Sequence, residues 1–166
     1  MKRAGAVLGS AVFFVIAPFS LAGLIPLWIT GWHLHAPFLG FPLIRAVGVV
    51  VVLIGLVPLI ESFGRFALEG VGTPAPIVPT KHLIVTGFYR HVRNPMYIGV
   101  VTIILGQALI FGTVGLLYYA AIVWVGFHLF VLGYEEPTLL RTHGTEYDTF
   151  RANVPRWIPR VTAWRG

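Results

Sequence analysis

Four long runs of apolar residues constrain this chain more than anything else in it. In lipid a backbone has no water to bond to, so a run of about 20 apolar residues folds as a helix that satisfies itself. The runs lie at 4–30, 43–66, 96–112 and 115–134. The third is shorter, and only Gly112-Thr113-Val114-Gly115 separates it from the fourth, which predicts a tight helix hairpin. Pro18, Pro26 and Pro58 fall inside the first two runs. They predict kinks where neighbouring groups satisfy the freed carbonyls. Composition agrees, with 57% of the 166 residues apolar, 11% charged and a mean hydropathy of +0.83. The expectation is an all-α polytopic membrane protein of about four transmembrane helices, forming a single domain over 1–166.

The first run has a rival reading as a signal peptide, because Lys2-Arg3 precede it and Ser20-Leu21-Ala22 imitates a cleavage site. A retained helix is preferred. The run continues through Ile29, too far for a signal segment, and Trp28 and Trp32 suit an interfacial belt. With the N-terminus cytoplasmic, Lys2, Arg3, Arg65, Lys81, Arg90, Arg93, Arg141, Arg151, Arg156, Arg160 and Arg165 share the cytoplasmic face and only Arg45 lies outside. That is the positive-inside pattern. It accounts for the net charge of +6 without a nucleic-acid partner, and puts both termini in the cytoplasm (of the inner membrane, if the source is bacterial). There is no cysteine, which excludes disulfides, thiolate metal sites and a cysteine nucleophile.

The 67–95 loop opens rich in Gly and Pro, then runs "TKHLIVTGFYRHVRNP". Leu83-Ile84-Val85 would dip into the membrane interface, Gly87 permits a sharp turn, and Asn94-Pro95 would start the third helix. In the tail, Leu139, Leu140, Tyr147 and Phe150 form one apolar stripe broken at Gly144, so two short amphipathic helices are expected on the membrane face. Pro155 and Pro159 end the helical part.

Several residues exceed what anchoring requires. Glu135 and Glu136 close the fourth run, where a helix C-terminus disfavours negative charge by about 0.3–1 kcal/mol each. Arg93 sits at the mouth of the third helix, whose free N–H groups and positive dipole end suit an anion. Glu61 and Arg65 are four apart and read equally as a structural pair or part of a substrate site. His33 and His35 read as a solvated loop, and His128 as a hydrogen-bonded histidine rather than a ligand. No metal site is expected. No dinucleotide, phosphate-loop, zincin or nucleophile-elbow motif is present. Residue chemistry alone yields a helical membrane protein with a cytoplasmic pocket between an anion-binding helix start and two carboxylates.

The blocks "HLIVTGFYRHVRNPMYIG" and "EEPTLLRTHGTEYDTFRANVPRWIP", about 35 apolar residues apart, closely resemble the isoprenylcysteine carboxyl methyltransferase and phospholipid methyltransferase superfamily. The resemblance covers about 70–160. Arg93, Pro95, Tyr97 and Gly99 match the family's Arg-His-Pro-x-Tyr-x-Gly, and Asn94 replaces its histidine. Glu135 and Glu136 match the acidic pair, and Gly144-Thr145-Glu146-Tyr147 the Gly-x-x-Tyr segment. The resemblance implies S-adenosylmethionine as methyl donor, in a cytoplasmic pocket capped by the C-terminal segment. Its contacts would be Tyr89, Arg93, Asn94, Pro95, Tyr97, Gly99, Glu135, Glu136 and Tyr147, with Arg93, Glu136 and Arg65 on the catalytic side. One glutamate would face the pocket and the other the tail, with Arg141 or Arg151 as partner. The acceptor implied is a membrane lipid or prenylated small molecule. Arg65 and Arg93 slightly favour an acidic one, as in isoprenylcysteine carboxyl O-methylation. Phospholipid amine N-methylation is the alternative. An NADPH-dependent membrane reductase and a non-catalytic membrane protein are alternatives of other classes.

Overall fold

A computed structural model describes residues 16–68 and 83–165, the side chains of 66–68 excepted. The start of the first apolar run with Lys2 and Arg3, and the part of the loop that holds Lys81, lie outside the described residues. Among the described residues every regular element is helical. A π turn at Ser20–Leu24 leads into α1 (Ile25–Thr30), then come α2 (Leu43–Leu68), α3 (Pro95–Phe111) and α4 (Val114–Phe130). A second π turn at Val131–Glu135 joins α4 to α5 (Glu136–His143), and α6 (Thr145–Asn153) follows. Leu43–Arg65 and Val114–His143 are long and apolar enough to cross a membrane, and Ser20–Thr30 and Pro95–Phe111 are shorter apolar helices. α2 exposes Val47, Val50, Leu53, Ile54, Val57 and Ile60, and α4 exposes Tyr118, Ile122, Val125 and Leu129. Such continuous apolar faces are at home in hydrocarbon. The chain is an integral membrane protein.

The tightest packing in the bundle is α2 against α3, and glycine makes it. A Cβ added at Gly55 would stand 2.8 Å from the Gly99 carbonyl oxygen, and one at Gly99 would stand 2.7 Å from that of Gly55. Gly48 and Gly106 oppose each other in the same way at 2.7 Å. Without side chains between them the two backbones touch, which is how helices associate where lipid removes the hydrophobic drive. Around this seam Leu59, Phe63, Met96, Val100, Ile103 and Ile104 bury, with Ala120 and Val123 of α4. α3 and α4 are joined by Gly112 and Thr113 alone, Gly112 being left-handed at φ 67°.

The prolines of the first run do what lipid demands. Pro26 has no N–H for the carbonyl of Ala22, and Gln107 of α3 donates its Nε2–H to that oxygen at 2.6 Å. The π turn sends the Ile25 N–H to Ser20, and Tyr119 of α4 donates its hydroxyl to the Leu21 carbonyl at 2.9 Å. Two polar side chains on apolar helices thus satisfy two orphaned carbonyls, while Pro58 sits inside α2 without ending it.

Leu83 and Val85 pack on Tyr147, Phe150 and Val154 of the tail, with Leu139, Leu140 and Trp164. One expectation needs correction: the fourth run does not end at Glu135. The helix continues through the π turn to His143, so Glu135 and Glu136 are mid-helix residues and the dipole argument about a helix end does not apply to them. Hydropathy drops at 135, but backbone hydrogen bonding does not.

Candidate functional site

The tail from Val154 onward runs beside the segment that leads into α3. The Arg93 N–H donates to the Pro155 carbonyl, Arg160 N–H to the His91 carbonyl and Trp164 N–H to the Arg90 carbonyl, each at 2.9 Å. Side chains reinforce the seam. Arg90 Nε donates to the Trp164 carbonyl at 2.6 Å, His91 Nδ1 to the Arg160 carbonyl at 2.8 Å and Asn94 Nδ2 to the Arg156 carbonyl at 3.1 Å. A carbonyl only accepts, so His91 carries its proton on Nδ1. Farther along, Trp157 donates its indole N–H to His128 Nδ1 of α4 at 3.0 Å.

This docking gathers a polar cluster. Arg93 Nη1 stands 2.9 Å from Glu136 Oε1 and donates to the Tyr147 hydroxyl at 3.2 Å. Arg156 closes on the same carboxylate from the other side, Nε to Oε1 at 2.6 Å and Nη2 to Oε2 at 2.9 Å. The Arg93 and Glu136 side chains are only 10% and 13% exposed, which places this pair among interactions costly to break from one side. Burial pushes the Tyr147 hydroxyl above the usual tyrosine range, with the Glu136 charge acting in the same direction. The buried Nε–H of Arg93 finds no acceptor among the described residues.

The neighbouring carboxylate does something else. Tyr97, in the first turn of α3, donates its hydroxyl to Glu135 Oε2 at 2.8 Å, and its ring lies 4.5 Å from that of Phe127. Tyr97 also lines a cavity of about 290 Å³, with Ala17, Pro18, Leu21, Met96, Val100, Phe127 and Phe130. Every other lining side chain among the described residues is apolar. Glu135 thus bonds a tyrosine that lines the cavity, while Glu136 bonds Arg156 of the tail rather than Arg141 or Arg151. Arg151 pairs with Asp148, and Arg141 caps the Pro137 carbonyl.

A second, open pocket of about 700 Å³ is lined by Arg65, Leu83, Val85, Thr86, Gly87, Arg90, Glu146, Trp164 and Arg165. Arg65 bonds Glu61 through Nε at 2.7 Å, and Gly87, left-handed at φ 55°, leaves no room for a side chain beside that pair. The expected site residues thus divide. Arg93, Glu136 and Tyr147 come together, Tyr97 and Glu135 form a separate pair, and Arg65 lies at the open pocket. Asn94 ties down the tail, and Pro95 and Gly99 are buried in packing. Tyr89 is buried, which pushes its hydroxyl above the ordinary value despite the nearby Ser62 hydroxyl. Sequence reasoning missed Arg156, Glu146 and Trp164. The signal for Arg156 is "VPRWIPR", a basic and aromatic stretch between prolines at the end of the second matching block.

Buried charge at one end of lipid-facing helices, next to an apolar cavity, defines a membrane protein built to handle polar and apolar chemistry together. The chain belongs to the phospholipid methyltransferase family, whose model matches residues 43–146. Protein-S-isoprenylcysteine O-methyltransferase of Schizosaccharomyces pombe is 34% identical over 82 residues, covering 48% of this chain and 34% of that one. Methanethiol S-methyltransferase of Crocosphaera subtropica is 30% identical over 141 residues, covering 82% of this chain and 53% of that one. The chain thus spans about half of one curated relative and a third of the other. No solved structure matches it.

Proposed function

We propose that this protein transfers a methyl group from S-adenosylmethionine to a lipid-like acceptor held within the membrane. The observation that carries the reading is an adjacency on α3. Met96 and Tyr97 line the apolar cavity, while Arg93, less than a turn before the helix begins, belongs to the buried polar cluster. A water-borne donor and a membrane-borne acceptor need such a boundary.

The residues present suit the donor. A pocket of about 700 Å³ falls in the usual range for cofactor sites. Trp164 offers an aromatic face to adenine, Glu146 an acceptor for ribose hydroxyls or a partner for the ammonium, and Arg65 and Arg90 partners for the carboxylate. When bound, S-adenosylmethionine supplies a methyl carbon on a sulfonium. The chain's own residues position, desolvate and exclude water, which is most of what an in-line displacement asks of a protein. The reading includes four spans with α3 and α4 as a hairpin, the tail as a cap, and both termini and the pocket on the cytoplasmic side, in keeping with the basic-residue asymmetry. The relatives' names assign a prenylated cysteine to one and a small thiol to the other, and a lipid-like acceptor for this chain follows the first.

Thermal unfolding of the detergent-purified protein with S-adenosylhomocysteine or NADPH tests this. Ligand at about 100 times its dissociation constant adds about 2.7 kcal/mol, and the shift is expected with S-adenosylhomocysteine alone. A shift with NADPH instead favours a reductase, and no shift with either removes the enzymatic reading.

A further inference from the structure

We infer that the tail re-enters the membrane: Trp157, Ile158 and Val161 form a wedge seated beside α4, at the boundary between acyl chains and headgroups. The inference goes beyond the methyltransferase reading and holds whatever acceptor the protein takes. The segment 155–160 is a loop with both ends pinned. The Pro155 carbonyl accepts from the Arg93 N–H, and the Arg160 N–H donates to the His91 carbonyl, each at 2.9 Å. Between these anchors the side chains point two ways. Arg156 reaches back to Glu136, while Trp157 donates its indole N–H to His128 Nδ1 at 3.0 Å. The Trp157 ring also stands 6.3 Å from that of Trp124, which stacks on His128 at 5.3 Å. His128 comes seven residues before Glu135, about 10 Å along the helix. Trp157 therefore sits at the level of a stretch of α4 that exposes Ile122, Val125 and Leu129.

The chemistry of the loop suits lipid. Ile158 and Val161 are 80% and 97% exposed. Single exposed apolar residues carry no meaning, but these follow a tryptophan packed on α4 and so continue its lipid-facing surface. Pro155 and Pro159 have no N–H, so the loop brings fewer donors that lipid would leave unpaired. The side-chain donor taken deepest, the Trp157 indole, is satisfied by His128. Tryptophan favours this level of a bilayer, and interfacial segments insert by about 5–10 Å. The flanking cations keep polar partners, Arg156 on Glu136 and Arg160 on the Asn153 carbonyl. The occupant that this surface fits is the bilayer itself. The same loop carries Arg156, so lipid that holds Ile158 also holds the clasp on Glu136.

The chain has no cysteine, so a single introduced one carries a probe without background. Ile158→Cys, Val161→Cys and, as control, Ala152→Cys on the exposed side of α6 are labelled with nitrobenzoxadiazole and placed one copy per phospholipid nanodisc. The probes at 158 and 161 should emit at shorter wavelength than the one at 152. They should resist iodide and be quenched by lipids that carry a nitroxide on the acyl chain. A probe at 158 that behaves like the one at 152 overturns the inference. So does a probe there that resists iodide but escapes the nitroxide lipids, since protein rather than lipid would then cover the wedge. Ile158→Asn tests the same point without a label. In nanodiscs, trypsin should cut its tail at Arg156 or Arg160 about tenfold faster than in wild type, as half-burial of an isoleucine in hydrocarbon implies. An unchanged cleavage rate overturns the inference too.

Discussion

Replacing Gly99 by alanine probes the seam on which the whole arrangement hangs. The new Cβ would stand 2.7 Å from the Gly55 carbonyl oxygen. Ordinary C···O contacts run at about 3.3–3.6 Å, so α2 and α3 must separate there by roughly 0.6–0.9 Å. A gap of that size forfeits a quarter to a half of each dispersion contact across the seam. Overpacking of this kind costs about 1–3 kcal/mol. Alanine's better helix propensity returns about 0.5–1 kcal/mol, leaving a net loss of up to about 2.5 kcal/mol. Gly126 on α4 is the control, because a Cβ there meets nothing within 4 Å and only the propensity gain remains. Unfolding in detergent, followed by tryptophan fluorescence, should put Gly99→Ala several degrees below wild type and Gly126→Ala at or above it. Gly55→Ala should resemble Gly99→Ala, and the double variant should fall short of the sum, since one separation relieves both contacts. Equal unfolding temperatures for Gly99→Ala and Gly126→Ala would refute the close crossing.

Arg156→Gln should cost about 1–2 kcal/mol. That is the lower part of the range for charge-assisted bonds, because the side chain keeps 30% exposure. It should also speed proteolysis after Asn153, and an unchanged cleavage rate would show that Glu136 does not hold the tail. The native pKa of Tyr89 lies above its unfolded value of about 10, so its contribution to stability is full below that pH and is lost as pH rises through the native value. Alkaline titration followed by tyrosinate absorbance should find this hydroxyl ionising only with unfolding in wild type, and the corresponding late step missing in Tyr89→Phe.

Much of the fold was legible because lipid leaves few choices. The start of α3 at Pro95 followed from proline's fitness for a first helical position, and the tail stripe followed from spacing, since Tyr147 and Phe150 do bury together. What hydropathy cannot register is hydrogen-bond register, so the π turn that carries α4 past Glu135 was invisible. The glycine seam was there to be read: Gly48 and Gly55 stand seven apart, as do Gly99 and Gly106. Gln107 and Tyr119, polar side chains on apolar helices, were likewise a signal for the carbonyls of a broken neighbour. The polar cluster was legible as a set of residues but not as a partition. Charge and spacing named Arg93, Glu135 and Glu136, but only the docked tail shows that Arg156 takes one glutamate and leaves the other to Tyr97.

The π turn at Val131–Glu135 also bears on how such a site can change over generations. A π turn holds one more residue than the α turn it replaces, and each α residue advances the helix by about 100°. Deleting one residue within it, Gly133 for instance, would restore regular α bonding. Because the π turn fits its extra residue into a single turn, the helix on either side would keep nearly its present bearing. What would change is the local aim of Glu135, the last residue of the turn, whose carboxylate meets Tyr97. A single-codon deletion there is thus a discrete way to re-aim one carboxylate of the pair without moving the helices that hold it.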